Sequence, residues 1–301
     1  MDNTGTLALV GGSEWTEGCT FDAGLLAASG GADVVVLPTA AAYQHPERVV
    51  LHAAEWFEPL GARVEGLMVV DRASAEDPGM AAAVRERVTA TTHLGELVDA
   101  DLVLESVVED LAVKKDLFAE LDSICKPDTI LATNTSTLAV VEMAMSTGRP
   151  DQVCGIHFFN PAPAMALVEV VRPITASDDT VATAVSFAAA CGKEPVEVKD
   201  QAGFIVNALL FPYLNNAVRM LEQGVATKEG IDAAMKGGCG FPMGPFALLD
   251  LVGLDTSLAI LNALYDEYRD PNYAAVPLLR RLVSSGQLGR KTKKGFYDYD
   301  R

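Results

Sequence analysis

A histidine and a glutamate stand twelve positions apart in the stretch GIHFFNPAPAMALVEVV, residues 155–171, within chain that is otherwise apolar. His157 closes one β-rich run and Glu169 lies inside the next. If the two runs pair as neighbouring strands, the carboxylate and the imidazole meet. A carboxylate on one ring nitrogen fixes the tautomer and aims the other nitrogen at a proton, which is how a general base is prepared. The same pattern also suits a core histidine satisfied by its neighbours and a glutamate on an edge strand.

Three other stretches carry chemistry-bearing groups. ATNTSTLAV, residues 132–140, places Asn134, Thr135, Ser136 and Thr137 just beyond a strand. In open α/β sheets ligands bind at that carboxyl edge, although Ser and Thr there also serve as plain helix caps. Asn207 is the one side-chain amide in GFIVNALLFPYL. An unpartnered buried amide costs about 1–3 kcal/mol, so it either caps a loop or faces a cleft. LVLESVVEDLAVKKDLF, residues 102–118, ends a buried strand in acidic groups before a lysine-bearing helix. Glu109 and Lys114 there line a cofactor site or form an exposed charged helix start.

The elements that would position these groups alternate. Short β-rich runs fall at 7–10, 33–37, 63–70, 102–105, 129–133, 153–157, 167–171 and 195–198. Helical apolar spacing marks 21–29, 46–60, 79–87 and 112–123. Such alternation predicts an α/β fold, a Rossmann-like mostly parallel sheet with helices on both faces. Past Asp200 only helical patterns remain: an apolar segment near 201–224 with Asp200 as its N-cap and Pro212 as a kink, then 228–236, 245–251, 256–268 and 276–285. The expected domains are 1–198, dinucleotide-binding with an atypical opening over 1–80, and 199–301, an all-helical C-terminal substrate and dimerisation domain.

Composition narrows the function classes. With 301 residues, half of them hydrophobic, the chain can bury a substantial core. A net charge of −18 opposes a nucleic-acid or anionic-membrane partner, despite a local basic cluster of Arg290, Lys291, Lys293 and Lys294. Five scattered cysteines without a CxxC pair suggest neither a disulfide framework nor a zinc site, so no metal is expected and a reduced, cytoplasmic setting fits. Neither a signal peptide nor an apolar run of ~18 residues is evident.

Taken in order, NTST, GIHFFNPAPAMALVEVV, DQAGFIVNALLFPYL, PMGPFALLDLVGLD and GRKTKKGFYDY resemble the signatures of NAD-dependent 3-hydroxyacyl-CoA dehydrogenases, nearest the bacterial 3-hydroxybutyryl-CoA type. The likeness runs from about residue 84 to the C-terminus. It implies hydride transfer between C3 of an (S)-3-hydroxyacyl-CoA and NAD, with His157 as base and Glu169 orienting it. Ser136 and Asn207 would hold the substrate oxygen. Gly11, Gly12, Glu109, Lys114, Asn134 and Asn160 would border the cofactor. An acyl-CoA substrate and a homodimer are likewise implied.

The opening departs from that pattern. LALVGGSEWTEG has Gly11 and Gly12 after the first strand but no GxGxxG, and the second strand ends in Pro38 rather than an acid. Asp71 is a distant stand-in for the ribose acceptor. Residues 1–78 resemble instead the start of the cyanophycinase-like serine peptidases. The alternative function is therefore an acyl-CoA-binding pseudoenzyme with impaired cofactor binding.

Overall fold

The computed structural model describes residues 7–11, 34–38, 88–160, 162 and 165–299. The expected strand at 63–70, the helices at 21–29, 46–60 and 79–87, and the residues Gly12 and Asp71 lie outside the described residues. The chain divides into two compact units, Met1–Asp200 and Gln201–Arg301.

The first unit is built on an eight-stranded sheet: β1 (Leu7–Gly11), β2 (Val34–Pro38), β3 (Val88–Ala90), β4 (Leu102–Ser106), β5 (Ile130–Thr133), β6 (Val153–Phe158), β7 (Leu167–Arg172) and β8 (Glu194–Lys199). Their spatial order is β3-β2-β1-β4-β5-β6-β7-β8. All neighbours run parallel except β6 and β7, which are antiparallel. The short β3 is an addition to the sequence expectation, as is the helix Asp178–Ala190. That helix is rich in Ala, Val and Thr and lacks a polar stripe sharp enough to mark it.

Residues alternate faces along a strand, and here the alternation segregates core from chemistry. Leu102, Leu104, Ile130, Ala132, Cys154, Ile156, Val168 and Val170 form one buried cluster with Val181, Ala184 and Ala188 of the helix Asp178–Ala190. The intervening positions, Glu105, Thr133, His157 and Glu169, therefore belong to the opposite face. Glu105 pairs in register with Thr133, Thr133 with Gly155, and Gly155 with Val171. The His157–Glu169 pair is the next same-face row beyond.

Among the described residues, two helices serve that face. α1 (Leu111–Ile124) starts at Asp110, whose side chain accepts the Val113 N–H at 3.0 Å. α2 (Val140–Ala144) is capped from a distance: Asp200 accepts the N–H groups of Val140 and Val141 at 2.9 and 2.7 Å. This corrects the expected role of Asp200. It does not cap the apolar helix that follows it, which begins only at Val206. Burial pushes the Asp200 carboxyl upward while these two N–H groups pull it down, with burial the larger effect.

The second unit is mostly helical, with five α-helices among the described residues, Val206–Glu222, Lys228–Cys239, Pro245–Val252, Leu254–Tyr268 and Pro277–Ser284, and isolated β-bridges joining Gly289 to Lys294 and Lys294 to Asp298. Its core includes Phe211, Leu214, Phe246, Leu261, Leu264, Leu279 and Phe296. Asp250, 1% exposed, accepts the N–H groups of Phe296 and Tyr297, each at 2.8 Å, and the Tyr299 hydroxyl at 3.1 Å. A Cβ on Gly295 would lie 2.1 Å from Asp250 Oδ1, so only glycine lets the chain come this close. The GFYDY terminus is thus a fastening of the helical unit. No single helix among the described residues is long and apolar enough to cross a membrane.

Candidate functional site

His157 and Glu169 face each other across the antiparallel β6–β7 pair as register partners. Directly opposed side chains on one face sit within contact range, and here His157 Nδ1 lies 2.8 Å from Glu169 Oε2. Both are buried, at 4% and 0% exposure. Gly155 makes the approach possible: a Cβ there would meet Val171 Cβ at 2.7 Å. The ring of Phe159 packs on the His157 ring with centroids 4.5 Å apart. With Glu169 as carboxylate, Nδ1 carries the proton and donates it, which directs proton exchange to Nε2.

Asn134 and Ser136 leave the carboxyl end of β5, beside β6. Asn134 Oδ1 accepts the Phe158 N–H at 2.8 Å, one residue past His157. Its own N–H is held by the Glu105 carbonyl at 2.8 Å. The turn containing Ser136 is gathered by one carboxylate oxygen. Glu109 Oε1 accepts from Thr135 Oγ1 at 2.6 Å, the Ser136 N–H at 2.9 Å and the Thr137 N–H at 3.2 Å.

Lys114 is turned inward, 1% exposed, and donates to Glu105 Oε1 at 2.7 Å. Its ammonium also stands 3.5 Å from Glu109 Oε2. Lys114 Nζ also donates to the Val107 carbonyl at 3.4 Å, so the ammonium is held by the end of β4 and the loop that follows it. Glu105, 0% exposed, was not singled out from the sequence. The signal available was a lone acid at the end of an apolar strand with a lysine nine positions later, on the next helix.

The remaining sequence-selected residues are placed as follows. Gly11 ends β1 and pairs in register with Ser106. Asn160 is exposed in the connection after β6. Asn207 lies in the first turn of Val206–Glu222, 8% exposed, in the second unit. Among the described residues no group of three or more His, Cys, Asp or Glu is arranged to hold a metal ion.

A dinucleotide fits the first unit on the evidence of its topology. The strand order turns at β1 and β4, which are parallel neighbours, and the crevice outside the carboxyl ends at such a turning point takes dinucleotides. Glu109, Asn134 and the Ser136 turn stand at that same carboxyl edge.

Comparison with known proteins agrees with this picture. A family profile described as 3-hydroxyacyl-CoA dehydrogenase, NAD binding domain, matches residues 28–201. A second, the C-terminal domain of the same family, matches 203–299. A 3-hydroxybutyryl-CoA dehydrogenase of Clostridioides difficile is 52% identical over 220 residues, 73% of this chain and 78% of the relative. The crystal structure of FadB2 from M. tuberculosis superposes with a TM-score of 0.82 at 38% identity, covering 98% of this chain and 99% of the other. That of an (S)-3-hydroxybutyryl-CoA dehydrogenase from Ralstonia eutropha gives 0.80 at 34%, covering 99% and 100%. The first profile reaches back to residue 28, well inside the stretch likened to a peptidase. That likeness, and the pseudoenzyme alternative built on the altered opening, gain no support from these matches.

Proposed function

The chain belongs to the 3-hydroxyacyl-CoA dehydrogenase family and is an NAD-dependent oxidoreductase, and from that premise we propose the substrate and the division of labour in its site. The substrate is (S)-3-hydroxybutyryl-CoA, oxidised to acetoacetyl-CoA, or the same pair run in reverse. Bound NAD would supply the acceptor for the hydride that leaves C3. His157 Nε2 takes the proton of the 3-hydroxyl, and Glu169 holds the ring in the tautomer that allows it. In the reverse direction the imidazolium returns that proton to the ketone oxygen.

The observation that carries this reading is the 2.8 Å contact between His157 Nδ1 and Glu169 Oε2, buried in the sheet and set by strand register. A buried carboxylate against a histidine stabilises the charged ring that forms as the proton arrives. Ser136 supplies a hydrogen bond to the substrate oxygen, placed in advance of the reaction. Glu109 and Asn134 border the cofactor chiefly by shaping the turn that carries Ser136. Exposed Leu209 and Met220 on the helix Val206–Glu222 support a homodimer through that helix. We place the enzyme in the cytoplasm.

The test is consumption of NADH with acetoacetyl-CoA by the purified protein, in parallel with a Glu169→Gln variant. The native protein should turn over, and the variant should lose roughly 100-fold or more in kcat, within the range of general-base contributions. Failure of the native protein to oxidise NADH with acetoacetyl-CoA would overturn the substrate. An unimpaired Glu169→Gln enzyme would overturn the role of the pair.

A further inference from the structure

We propose that Glu105 is a positioning residue for the reaction, acting through the backbone that carries Ser136. The inference rests on the reading of Ser136 as a partner of the substrate oxygen.

Glu105 is the last residue but one of β4, near the carboxyl edge, and is fully buried. Among the described residues, the groups hydrogen-bonded to its carboxylate are donors. Lys114 Nζ donates to Oε1 at 2.7 Å, the Val107 N–H donates to the same oxygen, and Thr133 Oγ1 donates to Oε2 at 2.7 Å. Two routes lead from here to the Ser136 turn. Thr133 Oγ1, oriented by giving its proton to Glu105, accepts the Thr135 N–H at 3.1 Å. Lys114, held by Glu105, stands 3.5 Å from Glu109 Oε2, and Glu109 Oε1 gathers the N–H groups of Ser136 and Thr137. Both routes end on backbone within one residue of Ser136.

A buried ion pair is weak evidence for stability, because desolvation offsets its attraction and apolar replacements are often as stable. Its location argues for a geometric use instead. Glu105 sits in the same-face row adjacent to that of His157 and Glu169, where small displacements of a reacting group are expensive. Only an ionised carboxylate accepts from all three donors at once. A glutamine must turn its NH2 toward one of them; facing Thr133 it reverses that bond, so the hydroxyl no longer gives its proton to residue 105, and Lys114 loses the charge it pairs with.

The experiment is a double-mutant cycle in kcat for acetoacetyl-CoA reduction, using Glu105→Gln, Ser136→Ala and the combination. Glu105→Gln should lower kcat roughly 10- to 100-fold, the scale of losses from misplaced groups, with the KM for acetoacetyl-CoA little changed. In the Ser136→Ala background the same substitution should cost almost nothing, because its route to the reaction is gone. Full kcat in Glu105→Gln overturns the proposal, as does a loss of equal size in both backgrounds, the pattern of a merely structural role. Should Glu105→Gln fail to fold around an unpaired Lys114, Glu105→Gln/Lys114→Met removes both charges and is read by the same two outcomes. Full turnover in Ser136→Ala is the distinct result that removes the parent reading and this inference together.

Discussion

Asn134 accepts the backbone N–H of Phe158 at 2.8 Å, and this one bond ties the turn that carries Ser136 to the strand end that carries His157. The two strands involved are parallel neighbours, β5 and β6. Asn134 extends their ladder past the point where β5 stops, with a side-chain amide in place of a backbone carbonyl.

Replacing Asn134 should therefore separate two losses. Asn134→Ala leaves the Phe158 N–H without its acceptor and should cost about 1–3 kcal/mol of stability. It should also cost roughly 10-fold in kcat through misplacement of His157. Asn134→Asp keeps an acceptor oxygen and should retain more of both. Thermal melts and steady-state rates on the two variants check this. Equal losses in both would deny the bond its role.

Gly155 is the contact point on which β7 closes against β6. A methyl there meets Val171 Cβ at 2.7 Å and Val140 Cγ2 at 3.3 Å. Gly155→Ala should destabilise the protein by about 1–3 kcal/mol, the usual cost of overpacking. It should also lower kcat, since the next row holds His157 and Glu169. A melting curve unchanged from the native protein would show that the strands give way without cost.

Thiol reactivity should sort by burial. Burial pushes the Cys154 and Cys191 thiols up to about 12 and the Cys125 thiol up to about 11, with Arg149 pulling the last back slightly. A raised value means the neutral thiol persists as pH rises. At about pH 8, near the ordinary thiol value, these three should resist alkylation by iodoacetamide. Cys239 is exposed and should react. Peptide mapping of the labelled native protein measures it, and early modification of Cys154 would contradict the packing of β6.

Much of the site was legible before any coordinates because its groups interrupt apolar runs. His157 and Glu169 stood out as ionisable residues in strand-like sequence, and the connection between them predicted that they could meet. What could not be read was the register that makes them direct partners, since it depends on how closely β7 approaches at Gly155. Glu105 was hidden for the opposite reason: an acid at a strand end looks like ordinary solvent-facing charge until the fold buries it against Lys114. Asp200 misled because a cap is recognised from the residues that follow it, whereas its N–H partners lie on Val140 and Val141, sixty positions earlier and brought close only by the sheet. The helix Asp178–Ala190 escaped notice because small and β-branched residues blur its period. The helical unit was read well from its apolar spacing, but the use of Asp250 to hold the terminal motif required tertiary contact.

The decisive measurement is the rate of acetoacetyl-CoA reduction by His157→Ala, with NADH binding to the same variant followed by fluorescence titration. Loss of turnover by roughly 1000-fold, within the range set by general acid–base catalysis, together with NADH affinity close to native, is the expected result. Native turnover in that variant would contradict the assignment of proton transfer to the histidine that Glu169 holds.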